Sequence, residues 1–444
     1  MRIHFIGIGG IGVSALAQYY LKKGHKISGS DLVSSEITEL LSGMGAKIYI
    51  GKHRAKNIPK RADLVIYSPA VQDNNPELKK AKNLHTLCSV PCVISYPQAL
   101  GELTKEYFTI AVSGTHGKST TTAMIGLILK KARLDPTVII GTKLKEFNNS
   151  NCRVGKSRYL VIEADEHFAS FLNYWPKIIV LTSIDRDHLD YYKNLNNILK
   201  TFKEYIAHLP KNGYLIANRD DKNILKILKD KKLLLTKNIL FYSLKNRGAK
   251  KIKEILKIPG DHNVSNALAA LSVAKILKIP YKISLKALSE YKGAWRRFEE
   301  KEVKIGNYKI KLISDYGHHP AEIKTTLAAA REKFPDREIW CVYQPHQYQR
   351  TFYLFDDFVK VFKKAPVDKV IITDIYDVAG REKRSIKRKI SSKILVKKIK
   401  KSSVIYLPKK KIKRCLEKNL KKGQILIIMG AGDIYNLEKE FSTN

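Results

Sequence analysis

The stretch VSGTHGKSTTT at residues 112–122 constrains the fold of this chain more than any other feature. An apolar run leads into a loop with glycines at 114 and 117, and a helical pattern starts at Lys118. A strand, a glycine loop and a helix in this order surround an anion with backbone N–H groups and the positive end of the helix dipole. The pattern therefore predicts a nucleoside triphosphate site formed by Gly114, Thr115, His116, Gly117, Lys118, Ser119 and Thr120.

The side chains of this loop supply the remaining chemistry of such a site. A lysine at position 118 reaches the terminal phosphates, and the hydroxyl of Ser119 is a ligand for Mg²⁺. The loop departs from the usual G-x-x-x-x-G-K-[ST] spacing, because Val112 stands where the first glycine is expected. The strand, loop and helix context still favours a phosphate site.

Two clusters of acidic residues follow apolar runs in the same part of the chain. Glu163, Asp165 and Glu166 come after LVI, and the stretch DRDHLD at residues 185–190 comes after IIVLTSI. Ligands of doubly wound sheets lie at the carboxyl ends of the strands. We therefore expect at least one Mg²⁺ ligand among these residues.

A second glycine turn opens the chain, where Gly7, Gly9 and Gly12 fit the pattern G-x-G-x-x-G between an apolar run and a helical one. This geometry delivers a diphosphate to a helix N-terminus. Asp31 ends the next β-rich run, about where an acid that binds a ribose belongs. Both features fit NAD and a UDP-sugar equally well, so a dehydrogenase remains an alternative at this point.

Short β-rich runs alternate with helical ones along the whole chain, which predicts α/β domains with mostly parallel sheets. A chain of 444 residues is too long for one ordinary core. We expect three domains at residues 1–103, 104–295 and 296–444, with the second linker near EYKGAWRRFEE, where Gly293 breaks the pattern.

The chain is strongly basic, with 82 lysines and arginines against 41 acidic residues and a net charge of +41. A large excess of basic residues is typical of proteins that bind nucleic acid. The lysines here are spread along the chain, however, so we expect no nucleic-acid partner. A nucleic-acid-stimulated P-loop ATPase is the alternative from a different class. No apolar run approaches the ~20 residues that span a membrane. Five scattered cysteines and the lack of a signal-peptide pattern predict a cytoplasmic protein.

Several motifs together resemble those of the Mur ligase family: GTHGKSTTT, EADE, DHLDYY, PGDHNVSNALAA, RRFE, DYGHHPAEI, QPHQYQRT and MGAGDI, in that order. The resemblance implies a Rossmann-like UDP-binding domain, a central P-loop domain and a Rossmann-like C-terminal domain that binds an amino acid. It also implies an ATP-dependent, amide-forming ligase of peptidoglycan synthesis. The motifs look most like those of members that join L-alanine to UDP-N-acetylmuramate through an acyl phosphate. A ligase that recycles muramyl peptides is the alternative within the family.

The resemblance also implies roles for individual residues. Catalysis would fall to Lys118, Glu163 and His188, with Mg²⁺ on Ser119, Glu163 and His188 and with ATP as the other cofactor. Further ATP contacts would come from Asn263, Asn266, Arg297 and Asp315.

The same resemblance locates the two other substrates. UDP-N-acetylmuramate would contact Gly9, Gly10, Gly12, Ser14, Asp31 and Ser68, and L-alanine would contact His318 and Arg350. The chain departs from the family at Gln347, where an arginine is frequent, and at Thr182 and Ser183, where a Thr-Asn pair is usual. We expect a monomer or a weak dimer.

Overall fold

The computed structural model describes residues 1–88, 92–230, 238–378, 382 and 384–441. The chain divides into two compact units. Unit 1 consists of Met1–Ile184, Leu199–Ser243 and Asn266–Leu288, and unit 2 consists of Asp185–Ile198, Leu244–Ser265 and Ser289–Asn444. The two are described separately below.

The first sheet of unit 1 is built from the N-terminal part of the chain. Its five strands pair in the order β3-β2-β1-β4-β5, and all four pairings are parallel. Because parallel strands need crossover connections, helices separate them. The strands are β1 (Arg2–Ile6), β2 (Lys26–Asp31), β3 (Lys47–Ile50), β4 (Leu64–Tyr67) and β5 (Cys92–Ser95).

The second sheet of unit 1 has seven strands in the order β12-β11-β10-β6-β9-β7-β8. Its pairings are parallel except that between β7 and β8 at one edge. The strand that enters the predicted phosphate loop, β6, is central and is buried almost throughout. The strands are β6 (Phe108–Ser113), β7 (Thr137–Leu144), β8 (Ser150–Arg153), β9 (Tyr159–Ala164), β10 (Ile178–Leu181), β11 (Tyr214–Asn218) and β12 (Asn238–Tyr242).

In unit 2, the described residues form one sheet of six strands in the order β13-β14-β18-β15-β16-β17. Only the β13–β14 edge pair is antiparallel. Apolar clusters cover both faces of this sheet. The strands are β13 (Glu299–Ile305), β14 (Tyr308–Asp315), β15 (Ile339–Tyr343), β16 (Lys369–Ile372), β17 (Val404–Tyr406) and β18 (Ile425–Met429).

Helices connect most of these strands. They are Ile11–Lys22, Glu36–Gly43, Pro76–Cys88, Tyr96–Glu106, Lys118–Lys131, Leu189–Tyr192, Leu195–Ala207, Lys222–Ile227, Ala249–Ile255, Asp261–Ile276, Tyr281–Glu290, Pro320–Lys333, Tyr348–Tyr353, Phe355–Lys363, Arg384–Lys387, Ser392–Ile399, Lys409–Asn419 and Asn436–Lys439.

The three mostly parallel sheets confirm the predicted α/β class. The predicted linker falls between the helix that ends at Glu290 and the strand that begins at Glu299. The boundaries at 103 and 295 stay predictions. Among the described residues, none of the helices is long and apolar enough to cross a membrane.

Candidate active site

The phosphate loop lies between the end of β6 and the helix Lys118–Lys131 in unit 1. Gly117 precedes this helix with φ of +83°, a left-handed conformation that glycine adopts without strain. A Cβ atom at this position would lie 2.4 Å from Oδ1 of Asn266. Position 117 therefore requires glycine for two reasons: its backbone conformation is left-handed, and Asn266, a predicted ATP contact, leaves no room for a Cβ atom.

Two side chains at the end of β10 brace the loop from the neighbouring strand. The backbone N–H of Thr115 donates to the carbonyl of Ser183 at 2.9 Å, and that of His116 donates to the Ser183 hydroxyl at 2.9 Å. The Thr182 hydroxyl donates to the carbonyl of His116 at 2.6 Å. The departure from the family at 182 and 183 therefore still provides loop contacts.

Lys118 lies at the centre of the loop as a buried cation. Its Nζ donates to the carbonyl of Gly114 at 2.7 Å and to Oε2 of Glu166 at 2.8 Å, and Asp165 Oδ1 lies 3.7 Å away. Burial opposes the charge, but the carboxylates of Glu166, Asp165 and Glu163 outweigh it and raise the lysine pKa. The side chain is therefore charged, and we predict that a bound phosphate replaces its acidic partner.

Ser119 and Glu163 form the second element of this loop. The Ser119 hydroxyl donates to Oε1 of Glu163 at 3.0 Å, and the N–H of Gly141 donates to the other carboxylate oxygen at 2.8 Å. A hydroxyl and a carboxylate at this spacing offer the oxygen ligands that Mg²⁺ prefers. This pair fits two of the three predicted metal ligands; the third, His188, lies in unit 2.

The first glycine turn lies at the carboxyl ends of β1 and β2, also in unit 1. The N–H of Gly9 donates to Oδ2 of Asp31 at 2.8 Å. Gly12 lies in the first turn of the helix Ile11–Lys22, and a Cβ there would lie 2.9 Å from the ring of Tyr96. The turn is therefore closed on one side by an acid and on the other by an aromatic ring that the sequence did not single out.

Ser14 and Ser68 occupy different surroundings at this turn. Ser14 is fully buried, and its hydroxyl donates to the carbonyl of Ile11 at 3.0 Å and accepts from Asn151 at 3.0 Å. A phosphate contact from Ser14 would have to displace these partners. Ser68 follows β4, and its N–H donates to the carbonyl of Ile6 at 2.9 Å.

Unit 2 carries a buried ion pair between Arg350 and Asp187. The Nε of Arg350 donates to Oδ1 of Asp187 at 3.0 Å, and both side chains are less than a tenth exposed. Burial would raise the pKa of Asp187, but Arg350 and the nearby His188, His319 and His318 hold it well below the usual range. Asp187 thus orients the arginine that we predict to bind the amino acid.

Three histidines surround this ion pair within unit 2. His346 Nδ1 lies 3.3 Å from Nη1 of Arg350, and the rings of His318 and His346 meet edge to face with centroids 6.0 Å apart. Burial lowers the pKa of His318 to about 4. Nε2 of the third, His188, lies 3.7 Å from Oδ2 of Asp187. The structure therefore brings three predicted residues, His188, His318 and Arg350, together in unit 2.

The predicted ATP contacts of unit 2 are engaged in local bonds. Asn263 donates from Nδ2 to the carbonyl of Pro259 at 2.6 Å. Asp315 is buried, which raises its pKa, and its oxygens accept from the N–H groups of Phe298 and Gly317, both at 2.8 Å. Arg297 lies over the Tyr316 ring at 5.2 Å. The Asp315 carboxylate is thus hydrogen-bonded to the backbone on both oxygens, at Gly317 just after it and at Phe298.

A cavity of about 480 Å³ lies elsewhere in unit 2, between the helices Pro320–Lys333 and Phe355–Lys363. Its lining includes His319 and Lys324 but neither His318 nor Arg350. The space beside Arg350 holds only about 10 Å³. The larger cavity is therefore not the predicted amino-acid site, which we identify by its chemistry rather than by its volume.

The sequence did not assign roles to several residues that contact the predicted ones. Asp187 and Glu166 were predicted only as members of acidic clusters, and Tyr96 gave no signal, because its importance depends on which side chains it meets. His346 could have been found from its motif, QPHQYQR, which also contains Arg350.

Comparison with known proteins extends these observations over the whole chain. Residues 2–108 match the Mur ligase family catalytic domain, residues 112–274 the Mur ligase middle domain, and residues 296–432 the Mur ligase, glutamate ligase domain. The UDP-N-acetylmuramate–L-alanine ligase of Acetivibrio thermocellus is 44% identical, over 99% of this chain and 95% of that protein. The corresponding ligase of Clostridium tetani is 42% identical, over 98% and 96%.

Solved structures agree with this result. The UDP-N-acetylmuramate–alanine ligase of Thermotoga maritima superposes with a TM-score of 0.77 at 28% identity, over 99% of this chain and 98% of that one. A murein peptide ligase from Psychrobacter arcticus has a TM-score of 0.71 at 23% identity, over 99% and 98%, which shows a shared fold. The phosphate loop, its acidic partners and these full-length matches lead to one conclusion: this chain belongs to the Mur ligase family.

Proposed function

We propose that this chain joins L-alanine to the carboxylate of UDP-N-acetylmuramate in peptidoglycan synthesis, with cleavage of ATP to ADP and phosphate. The observation that carries the proposal is 44% identity over 99% of the chain to a ligase named for these substrates. The same comparison confirms the ATP-dependent ligase class predicted from the sequence motifs.

The reaction requires activation because a carboxylate is a poor acylating agent. In the proposed first step, a muramate carboxylate oxygen attacks the γ-phosphorus of ATP, and the bond to the bridging oxygen breaks to release ADP. The amine of L-alanine then attacks the acyl carbon, and phosphate leaves with the electrons of the broken C–O bond. The amine proton passes to solvent or to a nearby base.

Lys118 supports this chemistry by holding positive charge where phosphate oxygens gather. Two anions must approach each other in the first step, so a fixed cation lowers the barrier. The ammonium group is already desolvated and needs only to exchange the Glu166 carboxylate, at 2.8 Å, for phosphate. Ser119 and Glu163 would hold Mg²⁺, which supplies further neutralisation of the phosphates when bound.

Arg350 serves the second substrate in this proposal. A guanidinium group binds both oxygens of a free α-carboxylate. Asp187 takes the Nε donor and His346 contacts Nη1, so the amino-acid carboxylate would bind at Nη2 and share Nη1 with His346. Gln347 adds no charge, so selectivity for the carboxylate would depend on Arg350.

Phosphate release is the experiment that tests this function. Purified protein is incubated with ATP, Mg²⁺ and UDP-N-acetylmuramate, and alanine, serine and glycine are compared. We expect release that needs the UDP-sugar and is fastest with alanine. Release with a free peptide that begins with L-alanine, but not with alanine itself, would identify a recycling ligase. Phosphate release that increases when DNA or RNA is added, and that does not depend on UDP-N-acetylmuramate, would identify a nucleic-acid-stimulated ATPase.

A further inference from the structure

A buried carboxylate in the first sheet of unit 1 lies outside the site described above. Glu77 is the second residue of the helix Pro76–Cys88, and its side chain is fully buried. A carboxylate in this position is costly unless hydrogen bonds replace its water. Five polar groups contact this carboxylate. Oε1 is contacted by the Asn57 amide at 2.7 Å, by His53 Nδ1 at 3.2 Å and by the Arg54 N–H at 3.3 Å. Oε2 is contacted by the Ser30 hydroxyl at 2.6 Å and by His4 Nε2 at 3.2 Å.

This network keeps Glu77 ionised and connects it to β1, to β2 and to the segment that follows β3. Burial alone would raise the pKa of the Glu77 carboxyl, but hydrogen bonds from His4, Ser30 and Asn57 hold it at about 2. His4 lies on β1, Ser30 lies near the end of β2, and Asn57 follows β3. The carboxylate therefore ties the middle of β1 to the end of β2, where the first glycine turn is held.

Ser30 connects this carboxylate to the glycine turn. Its carbonyl accepts from the N–H groups of Gly7 at 2.9 Å and Ile8 at 3.0 Å. The next residue, Asp31, accepts from the N–H of Gly9 at 2.8 Å. Three consecutive amides of the turn are thus held by the end of β2, whose own side chain at Ser30 is held by Glu77 at 2.6 Å.

We propose that Glu77 is a positioning residue for the diphosphate of the UDP-sugar. It acts through Ser30, whose carbonyl holds the N–H groups of the glycine turn. The position of Ser30 thereby fixes the direction of the amides at the start of the helix Ile11–Lys22. Glu77 itself is buried and does not touch the ligand. This inference rests on the proposed function, because it assigns the diphosphate at this turn to the UDP-sugar.

The test compares Glu77→Gln and Ser30→Ala with Asn57→Ala in the full-length chain. Ser30→Ala removes the hydroxyl that donates to the carboxylate, and Glu77→Gln removes the charge that this hydroxyl bonds. Asn57 donates to the opposite oxygen, so its removal perturbs the same network without touching Ser30. We measure the Kd for UDP by calorimetry, the melting temperature, and the KM for each substrate by phosphate release.

We expect Glu77→Gln and Ser30→Ala each to raise the Kd for UDP and the KM for UDP-N-acetylmuramate about tenfold, the scale of one lost hydrogen bond to a charged group. The kcat and the KM values for ATP and alanine should stay within about twofold of wild type. Asn57→Ala should lower the melting temperature and leave the Kd unchanged. The double variant of Glu77 and Ser30 should bind UDP no worse than the poorer single variant, because both remove one connection.

An unchanged Kd in folded Ser30→Ala or Glu77→Gln protein would overturn the proposal, as would equal effects of Asn57→Ala on Kd. If Glu77→Gln does not fold, Ser30→Ala decides the matter alone. Failure of the proposed function looks different, since wild-type protein would then release no phosphate with the UDP-sugar. A UDP-binding wild type without ligase activity would still allow the Kd comparison.

Discussion

Replacing Lys118 with methionine separates the two roles that the structure gives to this lysine. The ammonium group pairs with Glu166, and their side chains are 12% and 3% exposed. Methionine keeps the length of the side chain and removes the charge, so the buried carboxylate loses its cation. Breaking a buried ion pair from one side costs about 3–5 kcal/mol of stability. We expect a loss of this size in urea unfolding without nucleotide.

The activity of Lys118→Met should fall for a different reason. Removal of one group that stabilises developing charge costs about 100- to 1,000-fold in kcat, or about 3–4 kcal/mol of activation free energy. Phosphate release at saturating substrates measures this loss. It should be at least this large, because the lost group is a full charge beside the transferred phosphate in the proposed mechanism.

A double variant, Lys118→Met with Glu166→Gln, provides the matched control. Removing both charges leaves no buried ion without a partner, so most of the lost stability should return. Activity should not return, because the lysine charge that faces the phosphates is still missing. Glu166→Gln alone controls for the loss of the acid. Wild-type stability in Lys118→Met, or recovered turnover in the double variant, would refute this interpretation of the site.

Three further changes test other parts of the site. Arg350→Ala should raise the KM for alanine at least tenfold more than the KM for ATP; equal changes would show that another group binds the carboxylate. Glu163→Gln should increase the Mg²⁺ concentration needed for half-maximal phosphate release, since the partner of Ser119 at 3.0 Å loses its charge; an unchanged requirement would place the metal elsewhere. His318 has a pKa of about 4, lowered by burial from 6.5, so the unfolded chain binds more protons between these values. Stability should therefore fall as pH drops from 6.5 to 4, by about 3 kcal/mol for this group, and His318→Gln should flatten the profile measured by urea unfolding.

The sequence predicted the central strands because their apolar runs are uniform. The runs that became β6 and β10 are buried over nearly their whole length and end in polar motif residues. The edge strand β13 was not predicted, because its sequence EEKEVKI is mostly charged. Only Val303 and Ile305 are well buried there, and the strand forms because β14 supplies an antiparallel partner.

The phosphate loop could be predicted because its function depends on residues that are adjacent in sequence. Its partners could not be predicted with the same certainty. Lys118 meets Glu166 across 48 positions, and His4 meets Glu77 across 73. Such pairs depend on the order of strands in the sheet, which no local pattern contains. A motif therefore locates a site, and the strand order decides which side chains complete it.

The two glycine turns of unit 1 show what a motif of this kind leaves open. Both follow a central parallel strand and lead into a helix, and both turns are braced by the end of the adjacent strand, at Ser30 and Ser183. They differ in charge. The stretch GIGGIGVS has no charged residue, and its Gly9 amide donates to the carboxylate of Asp31. The second turn has Lys118 at its centre, surrounded by acids. A diphosphate that stays intact needs only amides and a helix N-terminus, whereas a phosphate in transfer needs a fixed cation. Under the proposed function, the presence of that cation, rather than the glycine spacing, distinguishes the turn for reaction from the turn for binding.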